Sequence, residues 1–445
     1  MKILLTTHQF FPHFRAGTEV LTRSVAQELV RRGHTVRILT GYPGSAAMAE
    51  EDRFDEYHVD GLHVHRFHHA HTPMGGQRSM IEVGYKNRLA SRRFARLLKE
   101  FAPDLTHFFH LNRLGTGLID EGAAAGLPMF MTPTDFWAIC PTGQLNLGNG
   151  QMCPGPSRRA GNCVKHFAIG NQGGLLGKMA GALPQRGADL LVGMTQRGFI
   201  PVYPKRREVL AIASRLGNIV DRLNLLKRLI VPTRFMGELL VQHGVAPERI
   251  VHAAYGIASD AQPQRQAAPA GRPLRIGYIG TLAPHKGCHV LLEALRALPA
   301  GTATLDVFGD PEELPDYVAT LHELASGCDG VNFRGTFPNT RIGAVLGEMD
   351  VLVVPSVWYE NTPLVIYSAQ AAGTPVVGSA LPGIQSAVRD GVDGLLFPVG
   401  DTAALAAQLL RLHQDRGLLA QLADNAPPPK PISVYVDELM AAWSV

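Results

Sequence analysis

The chain has 445 residues, enough for two domains or three at ~100–200 residues each. Hydrophobic residues make up 46% and charged residues 18%, which excludes a disordered chain. Lys and Arg number 42 against 38 Asp and Glu, a net +4 too mild for the dense basic face of a general nucleic-acid binder.

No run reaches the ~18 apolar residues that cross a bilayer. The opening MKILLTTHQFFP lacks the apolar stretch and cleavage site of a signal peptide. Five Cys, an odd number, do not make a disulfide framework. A cytoplasmic protein with reduced thiols is expected.

Residues 2–7, KILLTT, read as a buried strand, followed by a turn with Pro12 and Gly17. Val20, Leu21, Val25, Leu29 and Val30 then recur at helical spacing from Glu19 to Arg32, and Gly33 closes that helix. A strand from Thr35 to Thr40 completes a unit of the kind that builds parallel sheets. A basic amphipathic helix is predicted over Arg88–Phe101, with strands at Leu105–Phe109 and Met129–Pro133. Residues 137–205 lose periodicity and read as a long functional loop or insertion. A strand near Leu229–Val231 and a helix over Phe235–His243 follow.

IASDAQPQRQAAPAGR, from Ile257 to Arg272, is polar and Pro/Ala-rich and reads as a linker. Beyond it strands are expected at 274–279, 304–308, 331–334, 351–355 and 374–378. They alternate with helices at 289–298, 315–326, 339–348 and 363–372. A short helix over Val434–Trp443 ends the chain. Two doubly wound α/β domains are implied, with a cleft between them and ligand at the carboxyl ends of strands.

Three loops could carry chemistry. In VVPSVWYENTPLVIYSAQAAGTPVV, residues 353–377, Thr362 suits an N-cap, Pro363 the first helical position and Gly373 the C-terminal turn. The loop then aims backbone N–H groups and a positive helix end above a strand, as an anion site does, with Glu360 beside it. An ordinary capped helix with a solvated Glu fits equally well. In IGYIGTLAPHKG, Gly280 permits a tight turn and Lys286 could neutralise a departing diphosphate; taken alone, a solvated Lys is the simpler reading. Gly17 with Thr18 opens the first helix and allows close backbone approach to a phosphate or sugar. No G-x-G-x-x-G follows the first strand, which argues against nicotinamide binding.

Taken together, the sequence resembles glycosyltransferase family 4, the retaining enzymes of the GT-B fold. The resemblance rests on AGTEVLTRSVAQELVRRGHTVRILT (16–40), PDLTHFFHL (103–111), TDFWAICPTGQL (134–145) and VPTRFMGELLVQHGV (231–245). It continues through IGTLAPHKG (279–287), FRGTFP (333–338), PSVWYENTPLVIYSAQAAGTPVV (355–377) and DGVDGLLFPVGD (390–401). TDFWAICP is most similar to the subgroup that builds bacterial surface polysaccharides.

The resemblance implies two Rossmann-like domains facing a cleft: an acceptor-binding domain over 1–258 and a nucleotide-sugar domain over 259–427. A tail helix over 428–445 would cross back to the first. It implies that Glu360 contacts the transferred sugar, and that Asn361, Thr362, Pro363 and Leu364 bind donor diphosphate or sugar. Lys286 would bind the diphosphate and Gly17 approach the donor. Arg334, Gly335 and Phe337 would lodge the base. Asp135 matches the Asp of the family's His-Asp pair.

Three positions depart from the pattern. The second acid of E-x7-E is Ser368, the Arg that accompanies the Lys is Thr281, and the His before Asp135 is Thr134. Ser368 can give one hydrogen bond to a ribose but no charge-assisted one.

The implied reaction moves a sugar from a UDP- or GDP-linked donor to a hydroxyl of a glycan or lipid-linked glycan. It needs no cofactor and no metal. Two rivals remain: a non-catalytic GT-B scaffold and a nucleotide-sugar epimerase.

Cys140, Cys153, Cys163 and His166 could form a structural zinc set, although ordinary loop thiols are the preferred reading. Lys86, Arg88, Arg92, Arg93, Arg96 and Lys99, with Lys205-Arg206-Arg207, could rest on an anionic membrane surface or simply face solvent. His107 and His110 could face the cleft or pack.

Overall fold

The computed structural model describes residues 1–147, 151–172, 181–258 and 271–444. Most of the expected linker, 259–270, lies outside the described residues. The chain forms two compact units, Met1–Ala254 with Ser433–Val445, and Tyr255–Ile432.

The first unit holds an eight-stranded sheet in the order β3-β4-β2-β1-β5-β6-β7-β8. Its strands are β1 Lys2–Thr7, β2 Thr35–Pro43, β3 Phe54–Val59, β4 Leu62–His69, β5 Leu105–Phe108, β6 Met129–Met131, β7 Arg228–Val231 and β8 Ile250–His252. All pairs are parallel except β3–β4. The KILLTT run is central because it can be: every residue after Lys2 is buried. The helix Gly17–Arg31 packs beside it and ends where Gly33 takes φ 83°.

The β3–β4 hairpin was not predicted. Its two strands meet at Asp60-Gly61, with φ 51° and 77°, an Asp-Gly turn that is a hairpin signature in its own right. Four His in LHVHRFHH dilute the apolar run, yet Leu62, Val64 and Phe67 still face the core. The stretch read as irregular over 137–205 contains helices Gly161–Gln172 and Gln185–Gln196. Another, Arg206–Leu223, follows it. Its core stripe runs Ala211, Arg215, Ile219, Leu223, so a charged residue occupies an inward position and hides the period.

The second unit holds a six-stranded parallel sheet, β11-β10-β9-β12-β13-β14. Its strands are β9 Leu274–Ile279, β10 Ala303–Phe308, β11 Val331–Gly335, β12 Val351–Val354, β13 Val376–Ser379 and β14 Gly394–Phe397. Leu274, Ile276, Leu305, Val307, Val351 and Val353 anchor its core. β14 and the helices Thr402–Gln414 and Arg416–Asp424 go beyond the expectation. The helices are N-capped by Asp401 and Asp415, whose carboxylates accept from Ala404 N and Leu418 N.

The terminal helix Ile432–Trp443 brings the chain back into the first unit. Arg32 ties it down through Asp437 (2.6 Å) and the Ser433 carbonyl (2.8 Å). Trp443 Nε1 donates to His107 Nδ1 at 3.0 Å, and His107 Nε2 donates to Thr132 Oγ1 at 2.9 Å. His107 is therefore a packing residue, its tautomer fixed by two partners. Burial alone pushes its pKa down to about 3.

Candidate active site

In each sheet the strand order reverses at one point, and in doubly wound sheets ligands bind beyond the carboxyl ends of the two strands that meet there. In the second unit that point lies between β9 and β12. Lys286 follows the first strand and Glu360 the second.

Lys286 ends a short turn, Pro284–Lys286, and Gly287 follows at φ 74°. A Cβ on Gly287 would collide with the Pro355 carbonyl at the end of β12. Glycine is what lets the two loops touch. Val357 N donates to His285 O at 2.9 Å and fixes that contact.

The Lys286 ammonium lies 2.7 Å from Glu360 Oε1 and 4.8 Å from the Trp358 ring centre. The same oxygen accepts from Ser356 Oγ (2.7 Å) and Trp358 Nε1 (2.8 Å). Burial alone would raise the carboxyl's pKa. The Lys286 charge and these hydrogen bonds outweigh it and hold Glu360 below the ordinary value, ionised at neutral pH.

Asn361 Nδ2 donates to Tyr255 OH at 3.0 Å, and Gly383 packs against the Glu360 and Asn361 carbonyls where no side chain fits. Lys286, Glu360, Asn361, Thr362, Pro363 and Leu364 thus gather around one strand end.

Two expectations change here. The helix begins at Leu364 with Pro363 as its N-cap, and Thr362 does not cap it: its hydroxyl donates to the Asn361 carbonyl at 2.6 Å. Proline supplies no capping acceptor, so the helix N–H groups keep none from that residue. Ser368 turns its hydroxyl back to the Leu364 carbonyl at 3.3 Å. Thr281 contributes its carbonyl, which accepts from Tyr278 OH at 2.9 Å.

Arg334, Gly335 and Phe337 lie apart from this cluster, at the end of edge strand β11, two strands from β9. Arg334 is half-exposed and paired to Asp306 at 2.9 Å; Gly335 ends the strand at φ 68°; the Phe337 ring meets Phe308 edge-on at 5.2 Å.

Gly17 and Asp135 belong to the first unit, where the reversal lies between β1 and β5. Gly17 begins its helix without a side-chain cap. Thr18 Oγ1 donates to Thr134 Oγ1 at 2.8 Å, and Thr134 donates to the Phe109 carbonyl at 3.2 Å. Asp135 Oδ1 accepts from Trp137 N at 2.8 Å and meets His110 Nε2 at 3.0 Å. His110 Nδ1 accepts from Asn112 N, so Nε2 carries the proton toward Asp135.

The row continues inward. The His110 ring lies 4.2 Å from the His8 ring, tilted by 42°, and His8 Nε2 lies 3.8 Å from Glu19 Oε1. Glu19 is fully buried and its pKa is pushed up to about 7 by that burial, against weaker pulls from nearby backbone N–H groups and His110. Burial first, then His110, pushes His8 well down. Four titratable groups therefore run from half-exposed Asp135 into the interior. Of these only Asp135 and His110 are within hydrogen-bond distance, and that pair can hold a hydroxyl. His8 and Glu19 were missed as site residues. The signal was position: His8 directly follows a predicted strand, and Glu19 sits in the first turn of the helix after it.

The basic helix Arg88–Phe101 spends part of its charge internally. Arg93 pairs with Glu56 (3.1 Å) and Glu100 (3.5 Å), and Arg92 with Glu50 (3.6 Å). Among the described residues no helix is long and apolar enough to cross a membrane.

Residues 273–415 match the family model for glycosyl transferases group 1, and residues 16–169 that for the glycosyl transferase 4-like domain. A D-inositol 3-phosphate glycosyltransferase of Salinispora arenicola is 33% identical over 239 residues, 49% of this chain and 51% of that protein. The amylovoran biosynthesis glycosyltransferase AmsK of Erwinia amylovora is 32% identical over 196 residues, 42% of this chain and 47% of that one. The chain spans about half the length of the curated relatives it matches. Among solved structures, Anabaena Alr3699/HepE in complex with UDP and glucose superposes with a TM-score of 0.66 at 17% identity, covering 100% of this chain and 99% of that one. With a matching model on each unit and a GT-B neighbour along its whole length, the chain belongs to glycosyltransferase family 4 and has the GT-B fold.

Proposed function

We propose that this protein is a retaining glycosyltransferase that moves a sugar from a nucleoside-diphosphate sugar to a hydroxyl of a glycan or lipid-linked glycan in surface polysaccharide synthesis. The observation that carries the reading is the Lys286–Glu360 pair at the reversal point of the second sheet. In the proposed reaction Lys286 and the helix end at Pro363–Leu364 meet the diphosphate and stabilise its charge as the sugar bond breaks. Glu360, ionised and fixed by Ser356 and Trp358, accepts hydrogen bonds from the sugar hydroxyls. The departing phosphate takes the acceptor proton, so no side chain needs to be a strong base. Fixed dipoles and Lys286 replace a metal at the donor.

Uridine as the base draws support from the UDP held by the Anabaena neighbour, and a polysaccharide product from the name of AmsK. The basic residues of the helix Arg88–Phe101 and Lys205–Arg207 would hold the protein against an anionic membrane face where a lipid-linked acceptor sits.

Ser368 favours a second reading. A hydroxyl turned to its own helix offers a ribose little, as in a scaffold that no longer transfers sugar.

Calorimetry against UDP, GDP, TDP and their sugars, without and then with Mg²⁺ or Mn²⁺, separates the two. The enzyme reading expects one nucleotide to bind, independently of added metal and through Lys286. No binding across the panel overturns it and leaves the scaffold.

A further inference from the structure

We propose that Cys140, Cys153, Cys163 and His166 form a structural zinc site in the segment that follows β6. This stands independently of the glycosyltransferase reading.

The four residues come from three separate pieces of local structure. Cys140 closes the turn after Trp137. Cys153 follows the short bridge between Asn146 and Met152. Cys163 and His166 lie three positions apart on the helix Gly161–Gln172, on one face of it. The fold brings all four to the wall of one small cavity, with the three thiols buried and none in a disulfide.

Charge supplies the second argument. Arg215 is buried, and its guanidinium donates to the carbonyls of Trp137 and Ile139, just before Cys140. Among the described residues no carboxylate lies within ion-pair distance of it. The groups that would favour its charge are Cys140 and Cys163 first, then Tyr85 and Asp135, and the guanidinium also lies over the Trp137 ring at 5.1 Å. A buried cation needs a counter-charge. Zn²⁺ with three thiolates and a neutral imidazole carries a net charge of minus one and offsets Arg215. Three neutral thiols do not.

The donors need adjustment before they ligate. Cys140 Sγ rests against Thr142 Oγ1 at 3.2 Å and Cys153 Sγ donates to Gly155 O at 3.6 Å. No three of the four donor atoms lie within 4.8 Å of one another, so side-chain rotation must close the set. The metal exchanges those weak bonds for Zn–S bonds, and three thiol protons leave to solvent as three Zn–S bonds and one Zn–N bond form. A competing cluster, Glu56, His63 and His65, already has its donor atoms within that distance, but both imidazoles are bonded to the carboxylate at 2.9 Å.

Metal analysis of the full-length purified protein after dialysis is the test. One zinc per chain is expected, falling about ten-fold in Cys163→Ser and in His166→Ala, and unchanged in Glu56→Gln. Growth on cobalt should give sulfur-to-cobalt charge-transfer absorption. Thiol alkylation of the wild type, read site by site, guards against a variant that fails to fold: Cys140, Cys153 and Cys163 should be protected until a strong chelator is added, whereas Cys288, buried in the second unit's core, should not respond to the chelator. Absence of zinc, zinc lost with Glu56→Gln but kept in Cys163→Ser, an iron chromophore in its place, or equal alkylation with and without chelator would each overturn the proposal.

Discussion

Lys286 and Glu360 neutralise each other at 2.7 Å before any diphosphate arrives. A nucleotide that uses the ammonium must therefore compete with a carboxylate already seated on it. Replacing Glu360 by Gln removes the competitor and keeps a hydrogen-bond acceptor. The variant should bind the nucleoside diphosphate several-fold more tightly than wild type, while losing transfer by ~3 kcal/mol, on the order of a hundredfold in kcat/KM. Lys286→Ala should lose both. Calorimetry and turnover on the same preparations check this, and unchanged turnover in either variant would sink the site assignment.

Glycine at 287 is required twice, by φ 74° and by the Pro355 carbonyl. Gly287→Ala should cost ~1–3 kcal/mol of stability and displace Lys286 from Glu360. Denaturant midpoints report the first effect and nucleotide affinity the second. A variant as stable as wild type would mean that the loops after β9 and β12 do not meet as described.

Glu19 sets a pH dependence whose sign can be worked out. Its folded pKa, about 7, is above the unfolded value of 4.5, so the folded protein holds the proton more tightly. Stability from this group is full below pH 4.5 and is lost as pH rises toward 7. The loss is on the order of 3 kcal/mol, since each unit is worth about 1.4. Glu19→Gln should be more stable than wild type at pH 8 and equal to it at pH 4.5. A variant less stable at pH 8 would show that the carboxylate is paired rather than stranded.

His107 acts in the opposite direction. Its folded pKa, about 3, is below the ordinary 6.5, so its contribution is present above pH 6.5 and is lost as pH falls toward 3. Trp443→Phe removes the donor to His107 Nδ1 and leaves a buried acceptor unpaired, at a cost of ~1–3 kcal/mol. Urea unfolding at pH 7 measures it, and a loss well below 1 kcal/mol would mean water replaces the indole.

The first five strands of the second sheet and the helices between them were legible because their signals are local; β14 and the two helices after it were not read. Apolar runs such as VLVV and glycine stops such as Gly373 need no knowledge of the rest of the chain. The same holds for Lys286 and Glu360, which lie in short loops between well-marked elements. Their ion pair was not legible, because it joins residues 74 positions apart.

The first unit hid more. In the helix Arg206–Leu223, Arg215 faces inward, where a hydrophobic pattern expects an apolar residue. His8 and Glu19 give no sign in sequence that burial has moved them from their ordinary ionisation. A pKa shift of that kind depends on what packs around a group, which a linear pattern does not contain.

The return of the terminal helix to the first unit has a consequence for synthesis. A ribosome delivers Ser433–Trp443 only after the whole second unit has been made. Until then Arg32 lacks Asp437, and the His107 ring lacks the indole that caps it. The nascent first sheet must wait with that face uncovered through some 180 further residues, a wait of ~10–40 s at ordinary elongation rates. A chain released early, short of Trp443, would carry that exposed face permanently, and a cell could recognise it as unfinished.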